Sequence, residues 1–323
     1  MINDLEFRLT DGERARVEAV ASELVGTPPR MIDEPHWIGV CRAGSDRLPV
    51  RVRQRLREFR YDPGDSGALL IRNLPGVAER PTPAEPGSVE RVATVGAAVI
   101  GLLSMQLGEL IAYRSEKSGA LVQNVVPVPG MEEQQSNAGS THLAMHVENA
   151  FHPRRPDYVG LLCVRADHDR VAGLQLSCIR KAVDALPDEI SAVLAEPRFT
   201  TQAPPSFNRD GDSAQQHAVL TGEPADPDIQ VDFHATAGND EEAKNALEVL
   251  HGAVAAAAET LPLEPGDLAL VDNRVTLHGR TLFTPRYDGN DRWLHRTFVH
   301  LDHRRSRALR TRTGHVLAHL PIR

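Results

Sequence analysis

Residues 11–25 place Val17, Val20, Ala21 and Leu24 three or four apart with charged positions between them, the spacing of one apolar helix face. Segment 49–60, PVRVRQRLREFR, repeats that spacing, so both stretches predict helices laid against another layer. The run Ala68-Leu69-Leu70-Ile71 predicts a short buried strand, and Pro75 to Pro86 a Pro-rich connector. Segment 91–113 predicts one buried helix. Its uncharged core, Val92 to Gly108, falls short of the roughly 20 residues of a membrane span.

From about residue 119 the pattern changes to short strands bounded by Gly, Pro and Asp: ALVQNVVPV, THLAMHVENA, DYVGLLCVRA, DIQVDFHA, DLALVDN, VTLHGRTL and DRWLHRTFVHLD. Many short strands at such intervals predict a β-sandwich or barrel instead of alternating βαβ units. Helical inserts are expected near 180–195 and 239–259. The polar, Pro/Gly-rich stretch 200–220 has the composition of a lid. The 323 residues read as one elaborated domain, mostly helical over 1–113 and a β core over 114–323.

Composition narrows the function. The balance of 36 basic and 44 acidic side chains gives a net charge of −8 with no basic block, which argues against nucleic acid as a partner. Aromatics are only 4%, so stacking platforms for bases or sugars are unexpected. Three widely spaced cysteines fit neither a disulfide framework nor a structural zinc site, and the acidic N-terminus lacks a signal pattern. These features predict a cytoplasmic protein without a membrane segment. Glycine-rich phosphate loops are missing.

Histidines are as numerous as all aromatics together, at 14, so metal chemistry is arithmetically open. In an alternating segment, His146 and Glu148 point to one strand face, as two ligands of one metal would. Composition predicts about two His-x-acid matches by chance, and His300-Leu301-Asp302 is a second. The segment EPGDLALVDNRVTLHGR adds weight, because it reads as two strands with His278 near the end of the second. Two histidines and a carboxylate on one face match the facial triad of non-haem Fe(II) oxygenases. A zinc hydrolase would use similar ligands, but HExxH is missing. In RWLHRTFVHL, Arg292 and Arg296 share a face about 13 Å apart, at roughly 3.3 Å per residue. Such a pair either holds anionic ligands or is neutralised by internal carboxylates.

At these residues the chain resembles the clavaminate synthase-like branch of the Fe(II)/2-oxoglutarate oxygenases, and within it the bacterial asparagine-hydroxylating group. The matching stretches are EKSGALVQNVVPVPGMEEQQSNAGST (116–141), HVENAFHPRRPDYVGLLCVRAD (146–167) and GDLALVDNRVTLHGRTLFTPRYDGNDRWLHRTFV (266–299). The resemblance implies a double-stranded β-helix, or cupin-like jelly roll, with Fe(II) as cofactor and 2-oxoglutarate and O₂ as co-substrates. It implies iron ligation by His146, Glu148 and His278, and Arg292 on the distal carboxylate of 2-oxoglutarate. Arg296 would take the α-carboxylate of a free amino acid and Glu116 its α-ammonium. Asn137 and Asp232 would meet a side-chain carboxamide, which points to L-asparagine hydroxylated at Cβ for nonribosomal peptide or related secondary metabolism. His234, expected on the strand face of Asp232, stands where arginine hydroxylases carry a second acid. One carboxylate in place of two disfavours a cationic side chain. The other readings are hydroxylation of arginine, citrulline, lysine or glutamine, and a jelly roll that binds without catalysis.

Overall fold

The computed structural model describes residues 5–207, 215–311 and 313–319. Among them the strands form a mainly β fold with flanking helices, a jelly-roll core built from two open sheets and no closed barrel. The large sheet runs in the order Glu6–Arg8, Ala68–Arg72, Leu268–Asp272, Tyr158–Arg165, Trp293–His300, Glu109–Tyr113 and Val316–Leu317, with Val122–Val125 also pairing with Trp293–His300. The small sheet has the order Glu259–Leu261, Leu174–Cys178, Thr276–Arg280 and Leu143–His146.

Three apolar clusters show how the layers stack. One joins Leu161, Cys163, Ala269, Leu294 and Phe298 of the large sheet to Leu174 and Leu176 of the small sheet, so the two sheets face each other. The opposite face of the large sheet, with Leu69, Leu162, Leu270 and Val299, packs on the N-terminal helices through Val20, Trp37, Leu56 and Ile100. The opposite face of the small sheet, with Met145 and Leu277, packs on the inserted helices through Ile190, Val193, Leu250 and Val254. Both faces of each sheet are therefore covered, which is why strands such as Trp293–His300 are buried at every position.

The helices Asp11–Gly26 and Val50–Tyr61 lie where the periodicity placed them. The first is closed by a capping box in which Thr10 and Glu13 satisfy each other's end of the helix. A third, Pro35–Ser45, escaped the pattern because its apolar positions are interrupted by Gly39, Arg42 and Gly44. The single buried helix expected over 91–113 is corrected to a helix Val95–Ser104 followed by the strand Glu109–Tyr113. An all-apolar run carries no period, so it hid the turn at Met105 to Gly108. The expected helical inserts are Ile179–Ala182, Asp188–Leu194 and Glu241–Ala256. Part of the lid expected near 200–220, residues 208–214, lies outside the described residues. Its flanks form the paired strands Phe199–Thr201 and Gln216–His217.

Candidate active site

The strands Leu143–His146 and Thr276–Arg280 set His146 directly opposite His278, with ring centroids 4.4 Å apart. Gly279 permits that approach: a Cβ there would lie 2.7 Å from the Leu143 carbonyl oxygen. Glu148 does not continue the strand as its spacing predicted. The strand ends at His146, and Glu148 opens the following turn. Asn273 fixes it there, accepting from Glu148 N at 2.6 Å and donating to Glu148 O at 3.1 Å and Pro156 O at 2.9 Å. Because Asn273 sits between the strands Leu268–Asp272 and Thr276–Arg280, the same hairpin that presents His278 also holds the backbone of Glu148.

One ligand atom from each of His146, Glu148 and His278 lies within 4.8 Å of the others. Nδ1 of His146 is 2.8 Å from the Ala144 carbonyl, which can only accept, so Nδ1 carries the proton and the Nε2 lone pair is free for a metal. Nε2 of His278 is 3.5 Å from Glu148 Oε2. Burial, and then the neighbouring His146, push the His278 imidazole toward its neutral form. Burial opposes ionisation of Glu148, but Arg296 and His278 outweigh it and hold the carboxyl at about 2. Two imidazoles and one carboxylate are the donor set that suits Fe(II) with open positions.

Arg296 organises the next layer. From the large sheet its Nη1 donates to Glu148 Oε1 at 2.8 Å and to Asn137 Oδ1 at 3.1 Å, while Nη2 donates to Glu116 and to Gln123. Of the two alternatives for the arginine pair, neutralisation by internal carboxylates is present at Arg296, and those carboxylates are Glu116 and Glu148. Burial raises the Glu116 carboxyl, Arg296 opposes that rise, and the like charge of Glu148 adds to it. Among the described residues, Glu116 Oε2, Gln123 Nε2 and Arg296 Nε are buried without hydrogen-bond partners. One cation between two carboxylates, ringed by unused donors and acceptors, is an environment for a zwitterion.

Arg292 behaves differently. It is 4% exposed, and burial lowers its pKa. Among the described residues it forms no ion pair or hydrogen bond; its close partner is the Phe283 ring, 5.9 Å from the guanidinium carbon. A buried arginine without an ion-pair partner is stabilised by an anionic ligand.

Asp232 forms an isolated bridge with His146, which brings it beside the triad. The strand expected over 228–235 is corrected: it ends at Ile229, and residues 233–235 form a turn. Asp232 Oδ1 caps that turn by accepting from His234 N at 2.8 Å and Ala235 N at 3.2 Å. His234 is consequently exposed and does not share a strand face with Asp232. Sequence reasoning also missed Gln123, Asn273 and Arg280. Gln123 pairs in register with Arg296, a relation that only strand pairing reveals; Arg280 follows His278 by two residues, so the alternation of that strand could have placed it on the same face.

The chain matches the family described as taurine catabolism dioxygenase TauD, TfdA family over residues 65–298. It is 47% identical over 318 residues to L-asparagine oxygenase of Streptomyces coelicolor, covering 98% of this chain and 96% of that protein. It is 34% identical to L-lysine 3-hydroxylase of Catenulispora acidiphila, covering 96% and 88%. The solved structure of asparagine oxygenase with Fe(II), 2S,3S-3-hydroxyasparagine and succinate superimposes with a TM-score of 0.94 at 47% identity, covering 97% of this chain and 99% of that one.

Proposed function

The chain belongs to the TauD/TfdA dioxygenase family, and from that premise we propose that it is an Fe(II)- and 2-oxoglutarate-dependent hydroxylase of free L-asparagine, forming 3-hydroxyasparagine by insertion at Cβ. The observation that carries the reading is the guanidinium of Arg296, which touches the metal-site carboxylate Glu148 and the outer pair Glu116 and Asn137 at once. A small zwitterion bound there lies against the triad.

His146, Glu148 and His278 would hold the iron. Bound Fe(II) supplies the oxygen chemistry that couples decarboxylation of 2-oxoglutarate to succinate with hydroxylation of a C–H bond. Arg292 anchors the distal carboxylate of 2-oxoglutarate. Arg296 takes the α-carboxylate of the substrate, and Glu116, with its unpartnered Oε2, takes the α-ammonium. Asp232 and Asn137 meet the carboxamide, which offers both donors and an acceptor. Position selects the carbon that reacts, because held groups need no search for alignment. No substrate role is proposed for His234. The reading takes the chain as one oxygenase domain, with 1–113 as its mostly helical flank. It places the protein in the cytoplasm, in keeping with three buried free cysteines; no helix among the described residues is long and apolar enough to cross a membrane.

Purified protein supplied with Fe(II), 2-oxoglutarate and ascorbate is given each amino acid in turn, and succinate and the product mass are followed. The expected result is stimulation by L-asparagine with a gain of one oxygen atom. Failure of every free amino acid to raise succinate release above background overturns the reading. A preference for lysine or arginine overturns only the side-chain assignment.

A further inference from the structure

Arg280 follows His278 by two residues on the strand Thr276–Arg280 and so shares its face, turned toward the space between the sheets. It is 4% exposed, as is Arg292. Its hydrogen bond runs from Nη2 to the Thr141 carbonyl at 2.9 Å, and its Nε is buried without a partner. The guanidinium carbons of Arg280 and Arg292 lie 5.5 and 5.9 Å from the same Phe283 ring centroid, and the charge of Arg292 acts on Arg280. Among the described residues neither arginine has an ion-pair partner. The third buried arginine of the site, Arg296, is compensated by two carboxylates, whereas the carboxylate charge acting on Arg292, that of Asp167, makes no ion pair with it. Two neighbouring guanidiniums in a low-dielectric interior repel each other and lose hydration, a cost that an anion between them reverses.

We propose that Arg280 is a second cationic anchor for the distal carboxylate of 2-oxoglutarate, acting together with Arg292. The inference rests on the functional reading above, in which the co-substrate is this diacid. Two residues along a strand advance about 6.6 Å, the scale of a five-carbon diacid chelated at one end. The strand that presents His278 would then also fix the far end of the co-substrate, tying its reach to the metal site through rigid backbone. Phe283, itself buried, lies against both guanidiniums.

The test is equilibrium binding to Fe(II)-loaded protein under nitrogen, comparing 2-oxoglutarate with 2-oxobutanoate, which keeps the chelating head and lacks the distal carboxylate. Arg280→Gln is expected to weaken 2-oxoglutarate binding by at least about tenfold and to leave 2-oxobutanoate within about twofold. Unchanged affinity for 2-oxoglutarate, or equal losses for both ligands, overturns the proposal; the second is what loss of the Thr141 tie alone would produce. A complementary measurement keeps Arg280 in place. In Arg292→Gln, 2-oxoglutarate must still bind better than 2-oxobutanoate, and equal affinities overturn the proposal. If the unaltered protein binds no 2-oxoglutarate, the functional reading fails as well. If it binds and Arg280→Gln is silent, only this inference does.

Discussion

The Glu148 carboxylate accepts a hydrogen bond from Arg296 Nη1 at 2.8 Å, so one guanidinium spans the metal ligands and the proposed amino-acid site. With Glu116 on its other nitrogen, Arg296 stands between two carboxylates, so a bound zwitterion would meet a carboxylate for its α-ammonium and a guanidinium for its α-carboxylate. Arg296→Gln should therefore raise KM for asparagine by about 10- to 100-fold while half-saturation for 2-oxoglutarate changes by less than about threefold, because the charge-assisted contact to the substrate carboxylate is lost and Glu148 keeps the neighbouring His278. Steady-state titration of each substrate checks this. Equal effects on both would mean that the variant disturbs the whole site.

Asn273 contributes no ligand atom, yet two of its hydrogen bonds clamp the backbone of Glu148 to the hairpin of His278, and a third ties in the Pro156 carbonyl. Groups that orient metal ligands typically matter about 10- to 100-fold in affinity, so Asn273→Ala should weaken Fe(II) binding by that factor. His146→Ala, which deletes a ligand, should abolish stoichiometric binding. Metal titration under nitrogen, with a melting curve as the folding control, separates the two.

Asp232 uses Oδ1 to cap the turn at 233–235 and lies beside His146. Its negative charge favours a neutral carboxamide over a second carboxylate. Asp232→Asn should lower turnover with L-asparagine and shrink the preference for asparagine over aspartate, read as succinate formed with each amino acid. An unchanged ratio would remove Asp232 from side-chain selection.

The turn that carries Glu116 is held in the left-handed region at Lys117 (φ 45°), Ser118 (φ 55°) and Gly119 (φ 74°). For residues with a Cβ this costs about 1–2 kcal/mol each. Arg91 stabilises it from outside, donating to the carbonyls of Lys117 at 3.4 Å and Ser118 at 3.3 Å while paired with Asp33, and Lys117 Nζ donates to Asn124 O at 2.6 Å. Arg91 is thus a positioning residue. Arg91→Ala should raise KM for the amino acid by about three- to tenfold with little change in 2-oxoglutarate binding, and Arg91→Lys should restore part of the loss.

Burial holds His152 at about 4 and His295 and His300 at about 3. The unfolded chain protonates these rings near pH 6.5, and the folded one does so only at those lower values. Between the two limits the unfolded state binds more protons, so stability falls as pH drops, by up to about 1.4 kcal/mol per pH unit for each histidine. Above about pH 6.5 the three contribute no slope. Melting temperatures should be flat near neutrality and decline steeply through the acid window, and His300→Asn should make that decline shallower.

The sequence by itself determined the fold class, the short strands of the core, most of the helices, and the chemistry on offer: a His-x-Glu pair, a distant histidine and two arginines four residues apart, of which the structure puts Arg296 inside the strand Trp293–His300 and Arg292 just before it. Those features are local. Periodicity places a side chain on a face, and residue type fixes what it can donate, accept or ligate. Tertiary structure decided the rest. Glu148 reaches the triad from a turn and not from a strand, because Asn273, 125 residues away in the chain, holds its backbone. His234 is directed outward because Asp232 caps a turn where alternation suggested a strand. Arg292 and Arg296 look alike in the sequence pattern, yet Arg296 is enclosed by carboxylates and Arg292 has no ion-pair partner among the described residues. The difference lies in what faces each arginine across the sheets and loops, and a linear pattern holds no information about those partners until pairing register and sheet packing bring them together.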